Sequence, residues 1–160
     1  MVKYVKEDTS VVFEEIPDEI TLAINISNCQ NNCVGCHSPY LRKDIGDELT
    51  YDVIDELLKE NDGVTCVAFM GEGNDSDGLL SLARYVRDEK HLKVALYSGR
   101  DVLNPNIFYN FDYVKTGPYM AEFGPLNKKT TNQRLYKVER ESDYSIEIKN
   151  ITEKFWKNEN

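Results

Sequence analysis

Residues 28–38 read NCQNNCVGCHS, and three of the chain's four cysteines, Cys29, Cys33 and Cys36, fall inside that stretch. Three thiolates on a short loop can converge on one soft metal centre. A four-iron cluster has four corners, so three cysteines hold three irons and leave the fourth without a protein ligand. An iron with an open position can bind and polarise a substrate, as open positions do in other catalytic metal sites. The competing reading is a closed zinc site completed by His37 or Cys66. His37 adjoins Cys36, an awkward spacing for joint ligation. Cys66 sits in the apolar run VTCVAF, where a cysteine ordinarily acts as a small hydrophobe.

The elements around this loop alternate strand and helix. Residues 20–27, ITLAINIS, read as a strand with Ile20, Leu22, Ile24 and Ile26 on one face, and the cysteine loop follows directly. Residues 50–60 read as a helix capped by Thr50, with Val53, Ile54, Leu57 and Leu58 at helical spacing and Gly63 just beyond. Residues 64–70 are a short apolar run typical of a strand buried on both faces. After the turn GEGNDSDG come an amphipathic helix over 79–88, a strand over 92–97 ended by SGR, a short helix over 104–109 and a strand over 111–115 ended by TGP.

That alternation predicts an α/β fold with parallel strands and right-handed crossovers. The active site of such a sheet lies in the loops after the strand C-termini. The cysteine loop, GEGND, SGR and TGPY all belong to that edge, and Ser98, Gly99 and Arg100 there are candidates for contact with a ribose or a carboxylate. Residues 116–131 read as an ordered or lid-like loop, and 133–139 with 144–149 as a hairpin around a polar turn at 140–143. A closed barrel of eight βα units takes about 250 residues. A chain of 160 residues therefore predicts a partial βα barrel or open curved sheet with a C-terminal loop and hairpin extension. It reads as one domain over 1–160, with the core at about 11–140 and a tail at 141–160.

Composition narrows the classes of function. Apolar residues make up 41% and charged residues 29%, the balance of an ordinary soluble domain. The net charge of -9 lacks the counter-charge that nucleic-acid phosphates require, and it opposes docking to an anionic membrane. No apolar stretch approaches the roughly 20 residues of a membrane span, and the first residues show no secretory apolar region. The expected location is the cytoplasm, where thiols stay reduced and clustered cysteines bind metal rather than pair.

Two further segments stand beside the cysteines. NCQNNCVGCHSPYL, FDYVKTGPY and TTNQRLY together resemble the anaerobic ribonucleoside-triphosphate reductase activating proteins, a family within the radical SAM superfamily. The spacing Cys29-x3-Cys33-x2-Cys36 after a first strand resembles the superfamily's signature. Gly35 stands where most of the superfamily carries an aromatic residue, and it matches the activating proteins. The resemblance covers about residues 11–140.

The resemblance implies a partial barrel of radical SAM type, with Cys29, Cys33 and Cys36 holding a 4Fe-4S cluster. The open iron would chelate the amino and carboxylate groups of S-adenosylmethionine, with Gly35, Cys36 and His37 lining the cofactor site. The family's Gly-Gly-Asp/Glu turn, whose backbone meets the methionyl amino group, corresponds to Gly71, Glu72 and Gly73, with the second glycine displaced. Ser98 joins them as a cofactor-site residue, and Asn132, Gln133 and Arg134 are implied contacts with the partner protein or the cofactor.

The implied activity is reductive cleavage of S-adenosylmethionine to a 5′-deoxyadenosyl radical. That radical would take a hydrogen atom from a glycine in the large subunit of the anaerobic ribonucleotide reductase. Hydrogen-atom abstraction needs no general base, so no catalytic side chain is expected beyond the cluster and cofactor. A flavodoxin or ferredoxin would supply the electron. The alternatives are an activase of another glycyl radical enzyme, a small-molecule radical SAM enzyme and, from a different class, a non-catalytic zinc-binding interaction module.

Overall fold

The computed structural model describes residues 1–28 and 39–156. Cys29, Cys33, Gly35, Cys36 and His37 lie outside the described residues. Along the chain run β1 (Lys3–Tyr4), β2 (Ser10–Val12), β3 (Thr21–Asn25), β4 (Asp47–Glu48), α1 (Tyr51–Glu60) and β5 (Cys66–Met70). They are followed by α2 (Ser76–Arg84), β6 (Lys93–Tyr97), α3 (Pro105–Asn110), β7 (Tyr113–Thr116), β8 (Arg134–Arg140) and β9 (Ile146–Asn150).

Seven strands form one open mixed sheet in the order β2-β3-β5-β6-β7-β8-β9, while β1 and β4 pair apart from it. The four central strands β3, β5, β6 and β7 are parallel, as the strand–helix alternation predicts. β2 joins one side antiparallel, and β8 and β9 continue the other side as an antiparallel hairpin.

The period-2 pattern of the strands divides the core into two faces. Leu22, Ile24, Val67, Phe69, Val94, Leu96 and Val114 belong to one cluster, and the buried residues of all three helices join it, among them Ile54, Leu57, Leu79, Leu82 and Ile107. The opposite face carries a smaller cluster of Ile16, Cys66, Ala68, Ala95, Tyr113 and Leu135, with Met70, Tyr97 and Phe155 packed against it. β5 is therefore buried on both faces, as its unbroken apolar run predicts. Ile20, read on one face with Leu22, Ile24 and Ile26, precedes β3 and is 40% exposed, and its N–H donates to Thr65 Oγ1.

Local chemistry sets the helix ends. The Thr50 hydroxyl accepts from the Val53 N–H at 3.2 Å and starts α1 as expected. The helix read over 79–88 begins earlier, at Ser76, because Asp75 caps it by accepting from the Gly78 N–H at 3.0 Å. It ends at Arg84 and passes into a π turn over Tyr85–Glu89. No helix among the described residues is long and apolar enough to cross a membrane.

Candidate active site

The sheet register brings the predicted loops to one edge. Asn25, Met70, Tyr97 and Lys115 are Cα partners in successive strands, so β3, β5, β6 and β7 run out at nearly the same level. The chain leaves β3 through Ser27 and Asn28, directly ahead of Cys29. Gly71 follows β5, Ser98 follows β6 and Gly117 follows β7. Backbone bonds tie these exits together. Gly71 N–H donates to Tyr97 O at 2.9 Å, Ser98 N–H to Lys115 O at 2.8 Å and Gly117 N–H to Arg100 O at 2.7 Å.

Glu72, Ser98 and Arg100 form one polar network on this edge. The buried Ser98 hydroxyl donates to Glu72 Oε2 at 2.7 Å and accepts from the Arg100 N–H at 3.0 Å. Arg100 Nε pairs with the same carboxylate oxygen at 3.3 Å. The Glu72 side chain is 16% exposed and that of Arg100 56%, so the acid is the inner partner and the base the outer one. The Ser98 hydroxyl thus positions both Glu72 and the 98–100 turn. Beside the pair lies a cavity of about 110 Å³ lined by Glu72, Gly73, Asn74, Ser76, Leu79, Arg100 and Ile107.

Lys115 of β7 turns inward at the same edge. It is 7% exposed, and its ammonium donates to Ser98 O at 2.9 Å and Gly117 O at 2.8 Å. The charge also stands 5.8 Å from the centre of the Tyr97 ring. A buried lysine is rare, and this one is held by carbonyls at the exit of two strands, where it ties the two turns together. The sequence signal was the inward phase of Lys115, two residues from Tyr113 along β7.

Asn132, Gln133 and Arg134 reach the same edge by fastening onto the 117–118 turn and onto themselves. Buried Gln133 donates through Nε2 to Gly117 O at 3.3 Å, and Asn132 Nδ2 donates to Pro118 O at 2.9 Å. Arg134 donates to the carbonyls of Thr131 and Gln133, each at 2.7 Å. Their polar groups thus hold the chain against the sheet edge, while Asn132 Oδ1 is buried without a hydrogen-bond partner among the described residues.

Cys66 belongs to a different part of the molecule. It opens β5 at the far end from Met70, it is fully buried, and desolvation followed by the charge of Glu19 holds its thiol well above the usual range. Four residue steps along the strand separate it from the edge that carries Glu72 and Ser98, roughly 13 Å. It fits the core role, not that of a fourth ligand. Among the described residues no group of three or more His, Cys, Asp and Glu side chains is placed to hold a metal ion. The chain matches no family model, no curated protein and no solved structure.

Proposed function

We propose that this chain is a radical SAM activating enzyme that generates a glycyl radical on the anaerobic ribonucleotide reductase. The observation that carries the reading is the position of the cysteine segment. It begins just after β3, at the edge where β5, β6 and β7 also end, which is where a parallel sheet gathers its ligands. In this reading Cys29, Cys33 and Cys36 would hold a 4Fe-4S cluster, and Gly71, Glu72 and Gly73 would bind S-adenosylmethionine. The chemistry that the cluster supplies when bound is one-electron reduction of the cofactor's sulfonium.

The remaining residues bind and orient. By the resemblance, the Gly71–Gly73 backbone would meet the ammonium group of the cofactor. Lys115 ties the turns after β6 and β7 together at the same edge. Ser98 and Arg100 keep the Glu72 carboxylate in place beside them. The three helices cover one face of the sheet, and the sheet is open rather than closed, which supports a partial barrel entered by a glycine loop of the partner protein. A flavodoxin- or ferredoxin-type donor and a cytoplasmic setting complete the proposal.

The experiment is anaerobic incubation of the reconstituted protein, S-adenosylmethionine and reductant with the large subunit of the ribonucleotide reductase, read by electron paramagnetic resonance. The expected result is a glycyl radical signal that disappears when the target glycine is replaced by alanine. Cofactor cleavage without any signal on that subunit would move the assignment to another radical enzyme.

A further inference from the structure

β9 closes one side of the seven-stranded sheet, and its outer edge has no strand partner among the described residues. Its register on β8 fixes which backbone groups face outward. Glu141 N–H donates to Ser145 O and Ile151 N–H donates to Leu135 O, so the odd-numbered residues of this stretch turn toward β8. By the alternation of an antiparallel ladder, Ile146, Ile148 and Asn150 present their N–H and C=O groups to the open side. Ile148 stands at the centre of the strand and is 43% exposed.

The charges on β9 are poorly matched within its own chain. Glu147 lies directly opposite Glu139, and Lys149 lies directly opposite Lys137. Like charges in such positions are destabilising. The relief is diagonal, from Lys149 to Glu139 at 3.2 Å, and it leaves Glu147 without an ion-pair partner among the described residues.

We propose that β9 is a self-association edge, on which a second copy of this chain pairs antiparallel about a two-fold axis at Ile148. In that register Ile148 bonds to Ile148 of the second copy, and Ile146 bonds to Asn150 at both ends, which satisfies every outward group of the strand. Glu147 then falls opposite Lys149 of the second copy, twice by symmetry. These are the non-hydrogen-bonded pairs, in which side chains approach most closely. The neighbouring in-phase registers set Glu147 against Glu147 or Lys149 against Lys149. The same two residues thus favour one pairing and oppose its neighbours, which is how charged edge strands restrict their partners.

The test is sedimentation equilibrium of the full, cluster-reconstituted chain under anaerobic conditions, from micromolar to submillimolar concentration. The expected mass rises with concentration from 18.4 kDa toward twice that value. Glu147→Lys places lysine against lysine across the axis but against Glu139 within the chain, so it weakens the dimer without harming the fold. Its dissociation constant should rise roughly tenfold or more. Ile148→Pro, which removes an outward N–H and no bond to β8, should also give monomer. Glu147→Lys with Lys149→Glu should restore the dimer. Monomer at all concentrations would overturn the proposal, as would a dimer indifferent to Glu147→Lys and Ile148→Pro, or a charge-swapped double variant that stays monomeric. Circular dichroism melting confirms that each variant is folded.

Discussion

Replacing Gly73 by alanine should destabilise the edge that leads into the cysteine segment. Gly73 has φ +66°, and a Cβ there would stand 2.9 Å from Ile26 Cγ2 and 3.2 Å from Ser27 O. Left-handed backbone costs a side-chain-bearing residue about 1–2 kcal/mol. Overpacking against a neighbour that must move adds about 1–3 kcal/mol. At roughly 2–4 °C per kcal/mol for a chain of this size, the melting temperature should fall by roughly 5–15 °C. Gly63 supplies the control, since its φ is +93° and a Cβ there meets nothing within 4 Å. Gly63→Ala carries the backbone penalty alone, partly offset by the stiffer unfolded chain, and should lose roughly 2–5 °C. Thermal unfolding of the two variants beside the parent separates crowding from backbone strain. Equal losses would refute the claim that the 71–73 turn is pressed against the end of β3.

Alkaline stability follows from three buried protons. Burial first, then nearby carboxylates, hold the Cys66 thiol far above its ordinary 9.0 and the Tyr97 and Tyr113 hydroxyls far above 10.0. Above pH 9 the unfolded chain releases these protons while the folded chain keeps them, so stability is full below that pH and falls as pH rises. The slope is up to about 1.4 kcal/mol per pH unit for each group. Urea unfolding between pH 7 and 11 checks this, and in Cys66→Ala the decline should begin nearer pH 10 with only a modest loss at neutrality. At the opposite edge of the sheet, Asp112 accepts from Arg140 at 2.7 Å and from the Val94 N–H at 2.9 Å. Asp112→Ala strips the Val94 N–H of its acceptor and leaves Arg140 only the Tyr109 and Phe111 carbonyls, and it should cost about 3 kcal/mol in urea unfolding, with Asp112→Asn recovering part of it through the Val94 bond.

The parallel centre of the sheet was legible because each of its strands is a short apolar run bounded by turn residues, and the helices between them carry an unbroken apolar stripe. Thr50 announced α1. Asp75 did not announce α2, since the reading began at the first apolar residue, Leu79, and passed over a cap followed by the polar Ser76 and Asp77. β1, β2 and β4 span two or three residues each, too few to show a period, and only the strands they pair with define them. At the site, the edge position of Gly71, Glu72, Gly73 and Ser98 was legible from strand order. The partners were not. That Ser98 serves Glu72, that Lys115 reaches the Ser98 carbonyl and that Gln133 is buried against Gly117 are long-range facts. A linear sequence shows polar residues at these positions without showing what satisfies them.

The central claim, that Cys29, Cys33 and Cys36 make a radical centre at this edge, is tested most directly by 5′-deoxyadenosine. The protein is reconstituted anaerobically with iron and sulfide, reduced with dithionite and given S-adenosylmethionine, beside Cys33→Ala treated identically. The account predicts a brown protein that forms 5′-deoxyadenosine and a Cys33→Ala variant that forms none. A colourless protein that takes up zinc in place of iron, or product formation that survives loss of Cys33, would contradict it.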